Sequence, residues 1–187
     1  IPTRWHLAGF CHAYVDKDAN SNMSKNLIYN AKLRNTAIFG ATETILLHEK
    51  IIKKFGISVL KKLEENGCKI IGDTKIRKFY KGKVSKASIK DWSKEYLSSV
   101  VSVKTVKNID EAIDHINKSG TMHTDCIITR NKKSSSKFLQ EVKSSLAMPN
   151  TSQQSADGGA LGFDVEVGIS TDPVQTRVPV GLLQLGA

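Results

Sequence analysis

The sequence has no long apolar run: no stretch reaches the about 18 consecutive apolar residues expected of a membrane span. Its opening stretch, IPTRWHLAGFCHAYVDKD, meets charged residues too early for the apolar core of a secretory signal peptide. Because neither a membrane span nor secretion is indicated, we expect a cytoplasmic protein. With 187 residues, of which 40% are hydrophobic and 25% are charged, the chain is long enough to bury a sizeable core.

The sequence has only three cysteines, an odd number: Cys11, Cys68 and Cys126. These residues lack the spacing of metal ligands, and each stands in an apolar run, which is typical of buried free thiols. Among the five histidines, the short spacing between His123 and Asp125 comes nearest to a metal-binding pattern. A structural role is favoured for that pair, so we expect no metal site.

The signatures of phosphate-binding loops are also missing. No G-x-G-x-x-G follows a predicted strand and no G-x-x-x-x-G-K-[ST] occurs, so neither a dinucleotide fingerprint nor a P-loop is present. The glycine-rich passage at 158–168 has a different order, and it fits either a tight turn or a loop that lets a ligand approach closely. No set of Ser, His and Asp residues indicates a hydrolase. Residue types alone therefore do not define an active centre.

The net charge of +10 could indicate a nucleic-acid partner, because clustered Lys and Arg residues release counterions from phosphates. The lysines between 50 and 62 belong to the polar face of a predicted helix, and 75–86 is the one true basic run. No recognisable nucleic-acid module surrounds that run, so a solvated, lysine-rich surface is the favoured interpretation. We do not expect a nucleic-acid partner, although a binding role for 75–86 stays open as an alternative.

Strand and helix patterns alternate along the chain. Runs of Ile, Leu and Val predict buried strands, and apolar residues at helical spacing predict amphipathic helices between them. The predicted strands are 10–16, 43–49, 68–72, 100–106 and 125–130, and the predicted helices are 23–33, 51–66, 108–120 and 134–146. The polar section 73–90 is predicted to be an exposed loop or hairpin. Such alternation predicts parallel βαβ units and therefore an α/β fold.

Six segments carry a more specific signal. They are GFCHAYVDKDAN (9–20), NAK (30–32), ATETILLHE (41–49), DWSKEYLSSVVSVKTV (91–106), EAIDHINKSGTMHTDCIITR (111–130) and ADGGALGFDVEVGIST (156–171). In the same order and with similar spacing, they resemble the carboxyl-terminal half of the gamma-glutamyl phosphate reductases, also called glutamate-5-semialdehyde dehydrogenases. These enzymes belong to the aldehyde dehydrogenase superfamily. Each segment alone is weak, but six in register cover nearly the whole chain.

The resemblance implies a fold and a domain organisation. The expected architecture is a three-layer α/β sandwich with a mainly parallel sheet, like the catalytic domain of the aldehyde dehydrogenase superfamily. We expect a single catalytic-type domain over residues 1–187, without the amino-terminal cofactor-binding domain of the family. The resemblance also admits a homo-oligomer, or a separate cofactor-binding chain as a partner.

The resemblance further implies a reaction of proline biosynthesis. In the family, a cysteine thiolate on the loop that corresponds to the one before 43–49 displaces phosphate from gamma-glutamyl phosphate. Hydride from NADPH then reduces the resulting thioester to the semialdehyde. This sequence has Phe39 at the position of that cysteine, so the catalytic nucleophile is expected to be lost. Cys11, Cys68 and Cys126 fall in predicted strands away from this loop, so we do not expect any of them to replace it. An arginine of the family is replaced in the stretch 153–155.

Other positions still match the family. Glu95 matches the glutamate that holds the nicotinamide ribose, a role that suits a carboxylate because it can accept hydrogen bonds from two hydroxyls. Asp157, Gly158 and Gly159 match positions that could line the substrate pocket. Further matches are His123, Asp125, Glu166, Ser170 and Arg177. Because the nucleophile is missing, maintenance of the fold is favoured over function for these positions.

Three interpretations stay open. The favoured one is a truncated, non-catalytic relative that still folds, for which NADPH is the family's cofactor but is not expected to bind to this chain alone. The second is one half of a split reductase that needs a separate cofactor-binding chain. The third is a non-enzymatic binding or structural protein.

Overall fold

Seven strands form one parallel sheet in the computed structural model, which describes residue 9 and residues 11–156. The strands are β1 (Cys11–Val15), β2 (Thr42–His48), β3 (Lys69–Gly72), β4 (Val84–Lys86), β5 (Val100–Val106), β6 (Thr124–Ile128) and β7 (Leu146–Pro149). They lie in the order β4, β3, β5, β2, β1, β6, β7, and every neighbouring pair is parallel. The predicted α/β fold with a mainly parallel sheet is confirmed.

Five α-helices occur in the described part of the chain. They are α1 (Ser21–Leu33), α2 (Ile57–Glu65), α3 (Thr74–Phe79), α4 (Ile109–Ser119) and α5 (Lys132–Glu141). Four of them begin after an Asn or Asp whose side chain accepts a backbone N–H of the first turn, which is the ordinary role of an N-cap residue. These N-cap residues are Asn20, Asp73, Asn108 and Asn131.

The helices cover both faces of the sheet, as the alternation along β1 illustrates. Ala13 and Val15 belong to one buried apolar cluster together with Ile28 of α1. Tyr14 belongs to a second buried cluster together with Phe138 of α5. Because successive residues of a strand point to opposite faces, two cores form on the two sides of the sheet. The three-layer sandwich is therefore confirmed.

The section 73–90 is not an exposed loop or hairpin, so that prediction is wrong. It contains α3, in which Asp73 Oδ1 accepts a hydrogen bond from Ile76 N at 2.8 Å and Ile76 is fully buried. It also contains β4, which pairs in parallel with β3 and places Val84 opposite Ile70. The sequence pattern did not indicate these few buried apolar positions, because six basic residues lie among them within 75–86.

Two predicted helices differ in their bounds. The helix predicted at 51–66 begins with a 3₁₀ turn, Glu49–Ile51, continues as a π-helical segment, Ile52–Gly56, and becomes α-helical at Ile57. The helix predicted at 134–146 ends at Glu141, and Leu146 instead begins the edge strand β7.

No helix in the described ranges is long and apolar enough to cross a membrane.

Candidate functional site at the amino ends of the central strands

The candidate residues from the sequence gather at one edge of the sheet. Glu95 precedes β5, Phe39 precedes β2, Cys11 is the first residue of β1, and His123 precedes β6. These four strands are consecutive neighbours in the sheet, and the amino ends of parallel strands meet at the same edge. Open α/β sheets usually bind ligands at the carboxyl ends of their strands. The candidate site here lies at the opposite edge.

Phe39 lies on the loop between α1 and β2, and 39% of its surface is exposed. The loop is held by a turn in which Ala41 N donates to Ile38 O at 2.9 Å. The loop is also held by β1, because the Cys11 thiol donates a hydrogen bond to the carbonyl oxygen of Phe39, with a distance of 3.2 Å from sulfur to oxygen. The loop therefore presents a phenyl ring at the position where the family resemblance implies a thiolate.

The contact between Cys11 and Phe39 corrects one prediction. Cys11 does lie in a strand, but at the first residue of β1, directly beside the loop rather than away from it. Its sulfur also lies 3.5 Å from His123 Nδ1. Cys11 is fully buried, and burial, with the nearby Asp125 carboxylate adding to it, raises the pKa of the Cys11 thiol well above its usual value. Since the thiolate is the nucleophilic form, Cys11 is poorly suited to act as a nucleophile.

The other two cysteines are buried free thiols, as predicted. Cys68 directly precedes β3, and burial raises the pKa of its thiol to about 11. Cys126 lies within β6, where burial likewise raises the thiol pKa. Neither thiol is ionised at neutral pH.

Asp125 acts as a structural link between strands. Its Oδ1 accepts hydrogen bonds from His12 N at 2.6 Å and from His12 Nδ1 at 3.1 Å, while its Oδ2 accepts a hydrogen bond from the Ser144 hydroxyl. The carboxylate thus joins β1 and β6 to the segment that leads into β7. This geometry supports the structural interpretation of Asp125. In the described part of the chain, no group of three His, Cys, Asp or Glu side chains could hold a metal ion.

A buried ion pair joins the two elements that flank the Phe39 loop. Lys32 Nζ of α1 lies 2.6 Å from Glu43 Oε2 of β2, and both side chains are almost completely buried. Glu43 Oε1 also accepts a hydrogen bond from Leu97 N at 3.2 Å, two residues from Glu95. Burial raises the pKa of Glu43, although the Lys32 ammonium opposes that effect. The sequence motifs NAK and ATET contain both residues, but nothing in them indicated that the residues pair.

Two buried glutamines fasten the same loop. Gln153 Nε2 donates to His12 O at 2.7 Å, and Gln153 Oε1 accepts from Thr42 Oγ1 at 3.1 Å. Gln154 Nε2 donates to Ala31 O at 2.9 Å and to Asn35 O at 3.0 Å. Where the family resemblance implies an arginine, this chain therefore has amides that satisfy backbone carbonyls. Sequence reasoning missed this role, because surface-type residues such as Gln give no sign of burial.

Glu95, the residue that the family resemblance places at the ribose, lies at the same end of the strands. Its carboxylate is half-buried at the rim of the site, and Oε1 accepts a hydrogen bond from Gly9 N at 3.3 Å. A carboxylate has further acceptor positions, which could receive the hydroxyls of a ribose. The other site candidates, Asp157, Gly158 and Gly159, lie outside the described residues, as do Glu166, Ser170 and Arg177.

Similarity to known proteins is high over nearly the whole chain. The chain is 44% identical over 177 residues to a gamma-glutamyl phosphate reductase from Clostridium beijerinckii, a match that covers 95% of this chain and 42% of that relative. The crystal structure of gamma-glutamyl phosphate reductase from Thermotoga maritima matches with a TM-score of 0.91 and 38% identity, covering 96% of this chain and 43% of that one. The chain thus spans less than half the length of these relatives. No family model matches the chain.

More distant solved structures share the fold. An acetylating aldehyde dehydrogenase from Geobacillus thermoglucosidasius matches with 16% identity and a TM-score of 0.71, covering 95% of this chain and 49% of that one. An engineered glycolyl-CoA reductase with bound NADP⁺ matches with 14% identity and a TM-score of 0.68, covering 92% of this chain and 47% of that one. Proteins with this fold thus include one that holds a nicotinamide cofactor.

Proposed function

The chain belongs to the gamma-glutamyl phosphate reductase family, and on that premise we propose that it corresponds to the nucleophile-bearing part of a reductase in which the covalent step is lost. The observation that carries the proposal is Phe39 on the loop before β2. A phenyl ring has no lone pair with which to attack an acyl phosphate, so no thioester can form at this position. The family reaction, reduction of gamma-glutamyl phosphate to glutamate-5-semialdehyde, would therefore stop before its first intermediate.

The surroundings of Phe39 support the same conclusion. The nearest thiol, Cys11, is fully buried and donates a hydrogen bond to the Phe39 carbonyl oxygen. Gln153 and Gln154 are occupied by backbone carbonyls and by Thr42, so they contribute to the fold rather than to the binding of a phosphate. Neither feature offers an alternative route to the acyl intermediate.

The cofactor of the family reaction would be NADPH, which supplies a hydride. Glu95 is the described residue that would hold the ribose, because its half-buried carboxylate retains capacity to accept hydroxyl hydrogen bonds. Within residues 11–156, one carboxylate contributes too few contacts for tight binding. We therefore propose that the chain alone does not bind NADPH at physiological concentrations.

A split reductase is the second candidate function, in which a separate cofactor-binding chain completes the site. Two large apolar side chains favour it, because Phe39 is 39% exposed and Leu97 is 43% exposed near the same edge of the sheet. Exposed apolar surface of this kind can mark a site of protein association. In this candidate the family reaction would require the partner chain.

The test is NADP-dependent, phosphate-dependent oxidation of glutamate-5-semialdehyde. The native chain, Phe39→Cys and the matched control Phe39→Ala would each be assayed with and without a cofactor domain taken from an intact relative. Phe39→Ala opens the same space without supplying a thiol. We expect turnover by Phe39→Cys with the added domain, roughly 100-fold or more above Phe39→Ala, and none by the native chain.

The outcomes separate the two candidates. Turnover by the native chain alone would contradict the loss of the covalent step. Turnover by the native chain only after addition of the cofactor domain would favour the split reductase, and it too would contradict the loss of the covalent step. If folded Phe39→Cys is inactive with the added domain, the loss of function extends beyond residue 39.

A further inference from the structure

The positive charge of the molecule is concentrated at one end of the sheet. Residues 49–86 contain 12 of the 28 Lys and Arg residues but only four of the 18 Asp and Glu residues. This fifth of the chain therefore carries a formal charge of +8 out of the total of +10. It comprises α2, α3 and the strands β3 and β4, which lie at one end of the strand order.

The fold joins two lysine-rich stretches, 50–62 and 75–86, into one surface, which we call the basic face. In the sequence, the absence of a recognisable nucleic-acid module argued against a nucleic-acid partner. In the structure, three contacts connect 75–86 with 49–64, the segment that contains the first stretch: Lys75 Nζ with Glu49 Oε2 (2.7 Å), Lys53 Nζ with the centroid of the Phe79 ring (4.9 Å), and Lys83 N with Glu64 Oε1 (2.7 Å).

The four acidic residues of this region do not neutralise the basic face. Glu49 pairs with Lys75, and Glu65 lies 3.6 Å from Lys61. Glu64 accepts from Lys83 N and the Tyr80 hydroxyl, and Asp73 caps α3. Nine exposed cations form no ion pair with any other described residue. They are Lys50, Lys53, Lys54, Lys69, Arg77, Lys78, Lys81, Lys83 and Lys86.

The basic face offers charge but little apolar surface. The large hydrophobic residues that are well exposed in the described part of the chain all lie outside 49–86. The Phe79 ring is half-buried, with the Lys53 ammonium 4.9 Å from its centroid, and Tyr80 is 6% exposed, so these two rings present little surface for base stacking. A stable protein partner usually buries an apolar or aromatic anchor, and single-strand binding usually depends on stacking. Contact between lysines and regularly spaced phosphates requires neither an apolar anchor nor base stacking.

We propose that the basic face binds the phosphate backbone of double-stranded nucleic acid without sequence preference. The duplex has a higher charge density than a single strand, and lysines that neutralise its phosphates release condensed counterions. This activity is independent of residue 39 and of the reductase chemistry. It would therefore persist whether or not the proposed function is correct.

The test is fluorescence anisotropy of the purified native chain with labelled DNA duplexes of about 20 base pairs in two unrelated sequences. If about five phosphates are neutralised, we expect affinity to fall roughly 500-fold between 50 and 200 mM salt. Affinities for the two sequences should agree to within about twofold, because phosphate contacts carry no sequence information. Absence of binding at about 50 mM salt, or a shallow dependence on salt, would overturn the proposal.

Matched charge variants locate the site. Lys54→Gln, Lys81→Gln, Lys83→Gln and Lys86→Gln together remove four charges from the basic face. Lys118→Gln, Lys132→Gln, Lys133→Gln and Lys143→Gln together remove four exposed charges elsewhere. We expect the first variant to bind at least about 10-fold more weakly with a salt slope lower by about 2 to 4, and the second to change by less than about twofold. Equal losses in both folded variants would contradict a localised site.

Two further probes distinguish the class of polyanion. At about 50 mM salt, vesicles of phosphatidylserine and phosphatidylcholine test binding to a membrane surface, and polyglutamate tests binding to an acidic polypeptide. The proposal requires weaker binding to both probes than to the duplex. Binding to either probe as tight as binding to DNA would reject nucleic acid as the specific occupant.

Discussion

At the scale of single residues, Phe39 and Cys11 differ in exposure although they are in contact. The exposed side chain at position 39 is a phenyl ring, while the thiol beside the loop is fully buried. The Cys11 thiol donates to Phe39 O, and burial raises the Cys11 pKa well above its usual value. Because reaction requires an accessible thiolate, we expect no reactive thiol at this loop.

We predict that the folded native chain has no fast-reacting thiol. At about pH 7.5, Ellman's reagent should modify Cys11, Cys68 and Cys126 at least about 100-fold more slowly than free cysteine, because burial raises all three pKa values. All three should react in denaturant. Phe39→Cys should gain one rapidly reacting thiol, whereas Phe39→Ser should gain none. Fast modification of the native chain that disappears in Cys11→Ser would show that Cys11 is accessible and reactive.

At the scale of secondary-structure elements, Asp73 explains why α3 forms where a loop was predicted. Its side chain caps α3 through Ile76 N at 2.8 Å. It also accepts hydrogen bonds from Thr105 N at 2.5 Å and from Thr105 Oγ1 at 3.3 Å, which ties the start of α3 to β5. A six-residue helix has little stability of its own, so this tertiary connection supplies what local sequence cannot.

We predict that Asp73→Ala destabilises the protein more than the loss of an ordinary helix cap. The change removes the cap and leaves the Thr105 donors without their acceptor, for a combined cost of about 2 to 3 kcal/mol in the free energy of unfolding. Asn20→Ala is the matched control, because Asn20 caps α1 through Met23 N, and it should cost about 1 kcal/mol. Urea denaturation measures both. Equal costs would mean that the Thr105 contacts contribute nothing.

The features that the sequence predicted depend on local patterns, whereas the features that it did not predict depend on contacts between distant parts of the chain. The long strands β2 and β5 and the amphipathic helix α4 follow from apolar patterns within a few residues of chain. The predictions that Phe39 replaces a nucleophile and that Glu95 matches a ribose-binding glutamate rest on motif resemblance. The contact of Cys11 with Phe39 depends instead on the lateral order of β1 and β2, and the amide contacts of Gln153 join residues more than 100 positions apart. Neither follows from composition or spacing.

At the scale of the whole molecule, the charge is distributed unevenly across the fold. The stretch 49–86 carries +8 of the formal charge of +10, while 107–143, which contains α4 and α5, has seven basic and five acidic residues. Like charges held close together on a folded surface repel one another, and this repulsion is relaxed when the chain unfolds. The basic face should therefore oppose folding at low ionic strength, and counterions or a polyanion should relieve that effect.

We predict that salt stabilises the native protein through this face. Raising NaCl from roughly 20 to 200 mM shortens the screening length from about 20 Å to about 7 Å, which should raise the melting temperature by about 2 to 4 °C. The variant with Gln at 54, 81, 83 and 86 should melt higher than the native chain at low salt and respond less to added salt. The variant with Gln at 118, 132, 133 and 143 should retain the native response, because its substitutions lie where opposite charges nearly balance. Differential scanning calorimetry at the two salt concentrations measures the melting temperatures of all three proteins. An equal salt response in all three would show that the repulsion is spread over the whole molecule.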